Sequence, residues 1–275
     1  MQKCKIGVDI MKKLICLFLA ILLITTTIPF ATATATQDFI YKVVDEEAIL
    51  IDYTGDATEL DIPHTLGGYP VSTIGPWTFA DCQNLSAVTI GENITTIGFR
   101  AFYSCPNLDT ITVDKNNPSY TDIDGVLFTK DQTNLMYYPQ GKTATTYAIP
   151  QSVKAIGHSA FSFCQNLKTI TIPTGVTTIE DFAFSSCSNL NKVTLPKGIK
   201  TIGNSVFENC ESLTEMTIPS GVTSIGASAF SSCTKLTQVE IPYTVTTIEN
   251  YAFYDCKNLK SITIPNSVTT IGKGA

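Results

Sequence analysis

Apolar positions along this chain recur at a fixed interval. Cys164, Cys187, Cys210, Cys233 and Cys256 are each 23 residues apart, as are Cys82 and Cys105. The same period carries Phe79, Phe102, Phe161, Phe184, Phe207, Phe230 and Phe253, and also Leu85, Leu108, Leu167, Leu190, Leu213, Leu236 and Leu259. Within one unit, Leu236-x-x-Val239-x-Ile241 ends in alternation. Val239 and Ile241 therefore point inward, while Gln238 and Glu240 face solvent. Pro242 stops the strand, having no N–H for a ladder. Val222 and Ile225 are apolar at a turn-like spacing, and Ala229-Phe230-x-x-Cys233 fits one short helical turn facing the core. Eight of the 23 residues are inward and apolar. A single unit cannot bury them; only stacking on neighbours does.

The unit Ile-Gly-x-x-Ala-Phe-x-x-Cys-x-x-Leu-x-x-Ile-x-Ile-Pro resembles the BspA-type, or Treponema-type, leucine-rich repeats of bacterial surface proteins. The resemblance spans roughly residues 39–275. It implies an α/β fold: a right-handed solenoid of about nine rungs, with a concave parallel β-sheet and short helices on the convex side. Strands are expected to end at Ile62, Ile90, Val113, Ile149, Ile172, Leu195, Ile218, Ile241 and Ile264. At ~4.8 Å per rung the sheet would be about 40 Å long. Gly75, Gly98, Gly157, Gly203, Gly226 and Gly272 follow the unit's isoleucine, yet Glu180 and Glu249 hold the same place. Positive φ is thus not required there, and the glycine relieves crowding between rungs.

Two departures from the period matter most. From Val113 to Ile149 is 36 residues rather than 23. In this expanded unit (114–150), Val126-Leu127-Phe128 and Leu135-Met136-Tyr137-Tyr138 flank the polar turn Asp131–Asn134, which predicts a hairpin. The last unit stops at Ala275, before its phenylalanine, and reads as a truncated repeat. The expected organisation is a signal peptide over 1–35, an N-terminal cap over 36–58 and a solenoid over 59–275. Lys12 and Lys13, the apolar run Leu14–Ile24 and the small residues Ala31–Ala35 supply the three parts of a secretory signal, with cleavage after Ala33 or Ala35. The run is shorter than the ~20 residues of a membrane-spanning helix, and no membrane span is expected in the mature chain.

Removing residues 1–35 takes away four lysines and one aspartate, leaving 14 basic against 23 acidic residues and a net charge of −9. Such a surface repels phosphate backbones, which argues against nucleic-acid partners. The seven repeat cysteines show no Cys-x-x-Cys or Cys/His spacing for a metal. Their odd number, their inward slots and the parallel Cα–Cβ vectors of stacked rungs favour buried free thiols over disulfides. Only two histidines exist, His64 and His158. The Ser159 beside His158 lacks a recognisable third partner, so the chain reads as non-catalytic and without a cofactor. Asp122-Ile123-Asp124-Gly125 lacks the downstream ligands of a calcium loop and reads as a turn before a strand.

What varies between rungs is what a partner can read. Threonines fill most outward strand positions (Thr89, Thr112, Thr171, Thr194, Thr217, Thr263), and Lys192, Glu215, Gln238 and Glu240 interrupt them. Trp77, Phe182 and Tyr251 share one variable convex position, with Phe99, Tyr103, Phe163 and Tyr254 nearby. The expected ligand surface is the concave face, comprising Lys192, Glu215, Gln238 and Glu240 with Tyr137 and Tyr138 of the expanded unit as aromatic anchors. The function so predicted is adhesin-like: a secreted or cell-surface protein binding an extracellular protein or glycan. The competing expectation is a passive spacer that displays a domain encoded beyond Ala275.

Overall fold

The computed structural model describes residues 34–36 and 38–275. Residues 1–33, most of the signal peptide expected over 1–35, lie outside the described residues. The repeats stack into a β-solenoid of about ten turns, and each regular rung adds to two parallel ladders where one strand was expected. The first ladder is the expected one. It runs through Glu59–Asp61, Ala87–Ile90 and Thr110–Val113, then Thr146–Ala148, Thr169–Thr171 and Lys192–Val193, then Glu215–Thr217 and Gln238–Glu240. It is three short sheets and not one continuous sheet, and no strand forms before Ile264. The second ladder is built from the Thr-Ile pair before the glycine position, as in Thr178–Ile179, Ser224–Ile225 and Thr247–Ile248. Ser224 pairs with Thr247 and Ile225 with Ile248, one repeat on. Two β-branched or hydroxylated residues are too short to read as a strand in sequence; the adjacent rung supplies their ladder.

The short convex helices expected from the resemblance do not form: among the described residues there is no helix. Each convex segment is instead a pair of tight turns hinged on two left-handed residues, such as Ser228 (φ 55°) and Ser232 (φ 59°). The N–H groups of Ala229, Ser231 and Cys233 donate back three residues, at 3.2, 3.0 and 3.2 Å. Those of Ser228, Phe230 and Ser232 donate forward to Asn250, Ala252 and Tyr254 of the next rung, at 2.9, 2.8 and 2.7 Å. A helix needs every N–H for its own i−4 carbonyl. Here alternate donors are spent on the neighbouring rung, so the stacking that buries the core also forbids the helix.

Inside, the repeat phenylalanines form a column. Phe184 stacks on Phe207 at 5.5 Å, Phe207 on Phe230 at 5.4 Å and Phe230 on Phe253 at 5.3 Å, with interplanar angles of 3°, 13° and 2°. The glycine after the isoleucine has the role expected of it: a Cβ on Gly226 would lie 2.6 Å from the carbonyl of Gly203 in the rung before. Its φ is not in the left-handed region.

The expanded unit interrupts this order. Val126–Thr129 pairs antiparallel with Asn134–Tyr137, and Tyr120–Ile123 adds a third strand on the other side. Val126, Leu127 and Phe128 are all buried. Leu127 packs into the core of the rungs before it, whereas Val126 and Phe128 pack into the core of those after. This strand is a septum between two hydrophobic cores. At the other end, Phe39–Val44 and Glu47–Tyr53 form an antiparallel hairpin, and the second strand starts the parallel stack by pairing with Tyr69–Ile74.

No described cysteine forms a disulfide. Each buried thiol donates to the carbonyl of the preceding rung's column residue, as Cys187 Sγ does to Phe161 at 2.9 Å, Cys233 Sγ to Phe207 at 3.1 Å and Cys164 Sγ to Tyr138 at 3.6 Å. Burial pushes the thiol pKa up, to about 12 for Cys187 and about 11 for Cys256. Both effects suppress the reactive thiolate. Titration of folded protein with a thiol reagent at neutral pH should therefore label little, and unfolding without reductant should release all seven repeat thiols. Two or three disulfides by intact mass would contradict this.

Candidate functional site

Strand alternation puts Lys192, Glu215, Gln238 and Glu240 on the exposed side of the first ladder. Glu215 stands beside Gln238 in register, and Thr217 beside Glu240. The Glu240 carboxylate accepts from the Gln238 amide at 3.3 Å and from the Thr217 hydroxyl at 3.5 Å. No core packing engages these side chains. The two expected aromatic anchors lie elsewhere. Tyr138 is only 1% exposed: it takes the phenylalanine slot of the expanded rung and stacks on Phe161 at 5.1 Å. Tyr137 is half-buried, donates its hydroxyl to the Phe102 carbonyl at 2.8 Å and sits in the strand that continues the second ladder. The structure thus brings Glu215, Gln238 and Glu240 together on one two-stranded sheet, places Lys192 at the edge of the sheet before it, and leaves both tyrosines off this side.

A second constellation lies on the convex side, where the expanded unit takes a shorter path. Between the ladder isoleucine and the column phenylalanine a regular rung spends four residues, Gly157 to Ala160. The expanded rung pairs Leu135 with Ile156 and puts Tyr138 in the column, leaving only Met136 and Tyr137 between them. With its convex turn drawn in, the turn at Phe99–Ser104 faces the turn at His158–Phe163, 59 residues on. A cleft of ≈150 Å³ opens there, lined among others by Arg100, Asn134, Tyr137, Gln140, His158 and Glu180.

Arg100 is the chain's one arginine and Trp77 its one tryptophan, and the two meet here. The guanidinium carbon lies 5.3 Å from the Trp77 ring centre, 5.1 Å from Phe99, 5.1 Å from Tyr103 and 4.6 Å from Phe182. Four ring faces hold the cation by their quadrupoles. Its Nε donates to Ser159 Oγ at 3.3 Å, and Ser159 Oγ is 2.9 Å from Nδ1 of His158. Burial, and then the neighbouring Arg100 charge, push the His158 pKa down. This favours the neutral ring, to which Ser159 can donate while it accepts from Arg100. Glu180 accepts from the His158 backbone N–H at 2.9 Å. Among the described residues no carboxylate bonds the imidazole, and no group of three or more metal-ligating side chains exists.

Sequence reading passed over Arg100 because its partners Ser159 and Phe182 are 59 and 82 positions away. The available signal was compositional: a lone arginine among 18 basic residues, at a position where other rungs carry serine or an aromatic.

The profile of the BspA-type leucine-rich repeat region matches six copies, over residues 52–141, 136–257 and 223–275. The chain belongs to the BspA-type leucine-rich repeat family. Solved structures agree on the fold. A leucine-rich cell surface protein from Faecalibacterium prausnitzii is 22% identical, with TM-score 0.57, over 89% of this chain and 95% of its own. A leucine-rich repeat protein from Eubacterium ventriosum is 24% identical, with TM-score 0.53, over 88% and 93%. One from Bacteroides ovatus is 25% identical, with TM-score 0.57, over 88% of this chain and 61% of its own. A search of curated proteins gives no match. In this BspA-type solenoid no helix among the described residues is long and apolar enough to cross a membrane.

Proposed function

We propose that the protein is an exported, adhesin-like binding protein that holds an extracellular protein or glycan on the exposed face of its first ladder. The observation that carries this is the run of Lys192, Glu215, Gln238 and Glu240. In this polar strip Glu215, Gln238 and Glu240 stand in register on paired strands, with Lys192 one repeat before them, and all four are exposed while the alternate residues of these strands are buried. Stacked repeats build extended surfaces of this kind, and partners read what varies from rung to rung. Surface location is supported by family membership and by the cell-surface description of the Faecalibacterium prausnitzii relative. Export rests on the basic, apolar and small-residue order of residues 12–35. The reading is of a binder without chemistry, since the Ser159–His158 pair has no acid to orient the ring.

A binding screen against extracellular-matrix proteins and glycans tests this. A ligand of the strip should lose affinity roughly tenfold in Glu215→Lys plus Glu240→Lys, mostly through the association rate. An unchanged affinity in protein that keeps its melting temperature would exclude the strip.

A further inference from the structure

The drawn-in turn of the expanded rung removes hydrogen-bond partners as well as volume. In every regular pair of rungs, three convex N–H groups donate to three carbonyls of the next rung. Trp77, Phe79 and Asp81 thus donate to Phe99, Ala101 and Tyr103 at 3.1, 2.8 and 2.9 Å. The next donors in the series are Arg100, Phe102 and Ser104. None of their N–H groups finds an acceptor among the described residues. On the far wall only the middle carbonyl is used, Ala160 accepting from Tyr138 at 2.7 Å, while those of His158 and Ser162 accept nothing among the described residues. Tyr138 fills the middle of this rung with its own N–H and ring, and beside it one wall offers unused backbone donors and the other unused backbone acceptors.

The side chains at this position are unpaired too. Gln140 is 6% exposed and lines the cleft, and its amide has no partner among the described residues. The buried Asn134 Oδ1 also lacks one. Arg100 forms no ion pair with a described carboxylate; its one hydrogen bond uses Nε, leaving the two Nη groups for a bidentate acceptor.

We propose that this cleft binds the acidic side chain of a short peptide, its carboxylate pairing with Arg100 and its adjoining backbone meeting the unused donors and carbonyls beside Tyr138. Unpaired edges of a ladder are where proteins commonly take up peptide backbone. The walls offer amide donors on one side and carbonyls on the other, and a peptide group presents the complement of both; a sugar presents hydroxyls alone. The ≈150 Å³ of free space compares with a void that takes up benzene, enough for the acidic residue, with flanking residues running out along the groove. The site is separate from the strip on the first ladder and does not depend on it.

The test is an array of N-acetylated, C-amidated heptapeptides of randomised sequence. The best binders are then titrated in solution against the intrinsic fluorescence of Trp77, the chain's one tryptophan. The selected peptides should share Asp or Glu at one position. Replacing that acid by its amide, or changing Arg100→Gln, should each weaken binding about tenfold or more. Arg100→Lys, which keeps the charge without the planar fork, should fall between. N-methylation next to the acidic residue should also weaken binding, by removing a donor to His158 or Ser162. Glu215→Lys plus Glu240→Lys should leave it unchanged. The absence of an acidic preference, or equal binding by wild type and Arg100→Gln, would overturn the proposal. So would a fluorescence response to glucuronate or N-acetylneuraminate with none to any peptide.

Discussion

Phe207→Ala should cost about 3–5 kcal/mol of stability, the range of large-to-small changes in well-packed cores. Phe207 is fully buried between Phe184 and Phe230, so truncation removes two stacked contacts at once and leaves a void that neighbouring rungs cannot close. Its backbone is committed on both sides: its N–H donates to Ala229 at 2.8 Å, and its carbonyl accepts from Cys233 Sγ at 3.1 Å. The damage should be confined to rungs near 184–230, because each repeat touches mainly its neighbours. The septum of Val126–Phe128 separates the two cores, so the rungs from Ala48 to Leu108 should keep their hydrogen-exchange protection. A uniform loss of protection from Ile62 to Ile264 would contradict the one-dimensional picture.

Asn117→Leu should be nearly as damaging, by about 2–4 kcal/mol, for the opposite physical reason. Asn117 is fully buried, and its amide makes four hydrogen bonds. It donates to the carbonyls of Gly91 and Ile94, both at 2.8 Å, and accepts from the N–H groups of Ser119 and Tyr120 at 2.9 and 2.8 Å. A leucine of similar size fills the space but leaves these groups unsatisfied, at roughly 1–3 kcal/mol for a buried polar group without a partner. Tyr120, positioned by this residue, holds the Ile97 N–H with its hydroxyl at 3.1 Å. The loss should therefore appear as faster exchange at Ile97, Ser119 and Tyr120, with the rungs beyond Val176 unaffected. Asn117→Asp, measured at a pH where the new acid is ionised, should also destabilise, because it keeps the acceptors and removes both donors. Wild-type stability in either variant would show that the asparagine does not pin the expanded unit.

The repeat period, the inward set and the free thiols were legible in the sequence because each follows from spacing within one unit. Val239, Phe230, Cys233 and Leu236 had to share an interior once the 23-residue recurrence was recognised, and all four are buried. The outward polar strip was legible for the same reason, since strand alternation sets it locally. The convex segment misled: Ala229-Phe230-x-x-Cys233 has helical spacing, but its alternate N–H groups reach the next rung, and no single unit encodes that choice. Tyr137 and Tyr138 read as surface aromatics because the expanded unit has no repeat register to show that Tyr138 falls in the column. Asn117 carried no signal in the sequence, because two of its four partners, Gly91 and Ile94, lie in the rung before it.

Sequence alone determined that this chain stacks, what it buries and which side chains its strands turn outward, because those depend on periodicity and on burying apolar area. Only the tertiary structure decided where the stacking is interrupted. A rung that is longer in sequence is shorter by two residues on the convex side, and that shortening brings Arg100 to Ser159 across 59 positions. The contact belongs to neither unit. It follows from which residues of the expanded rung pair with Ile156 and stack on Phe161, a register set by the packing of two cores against one septum.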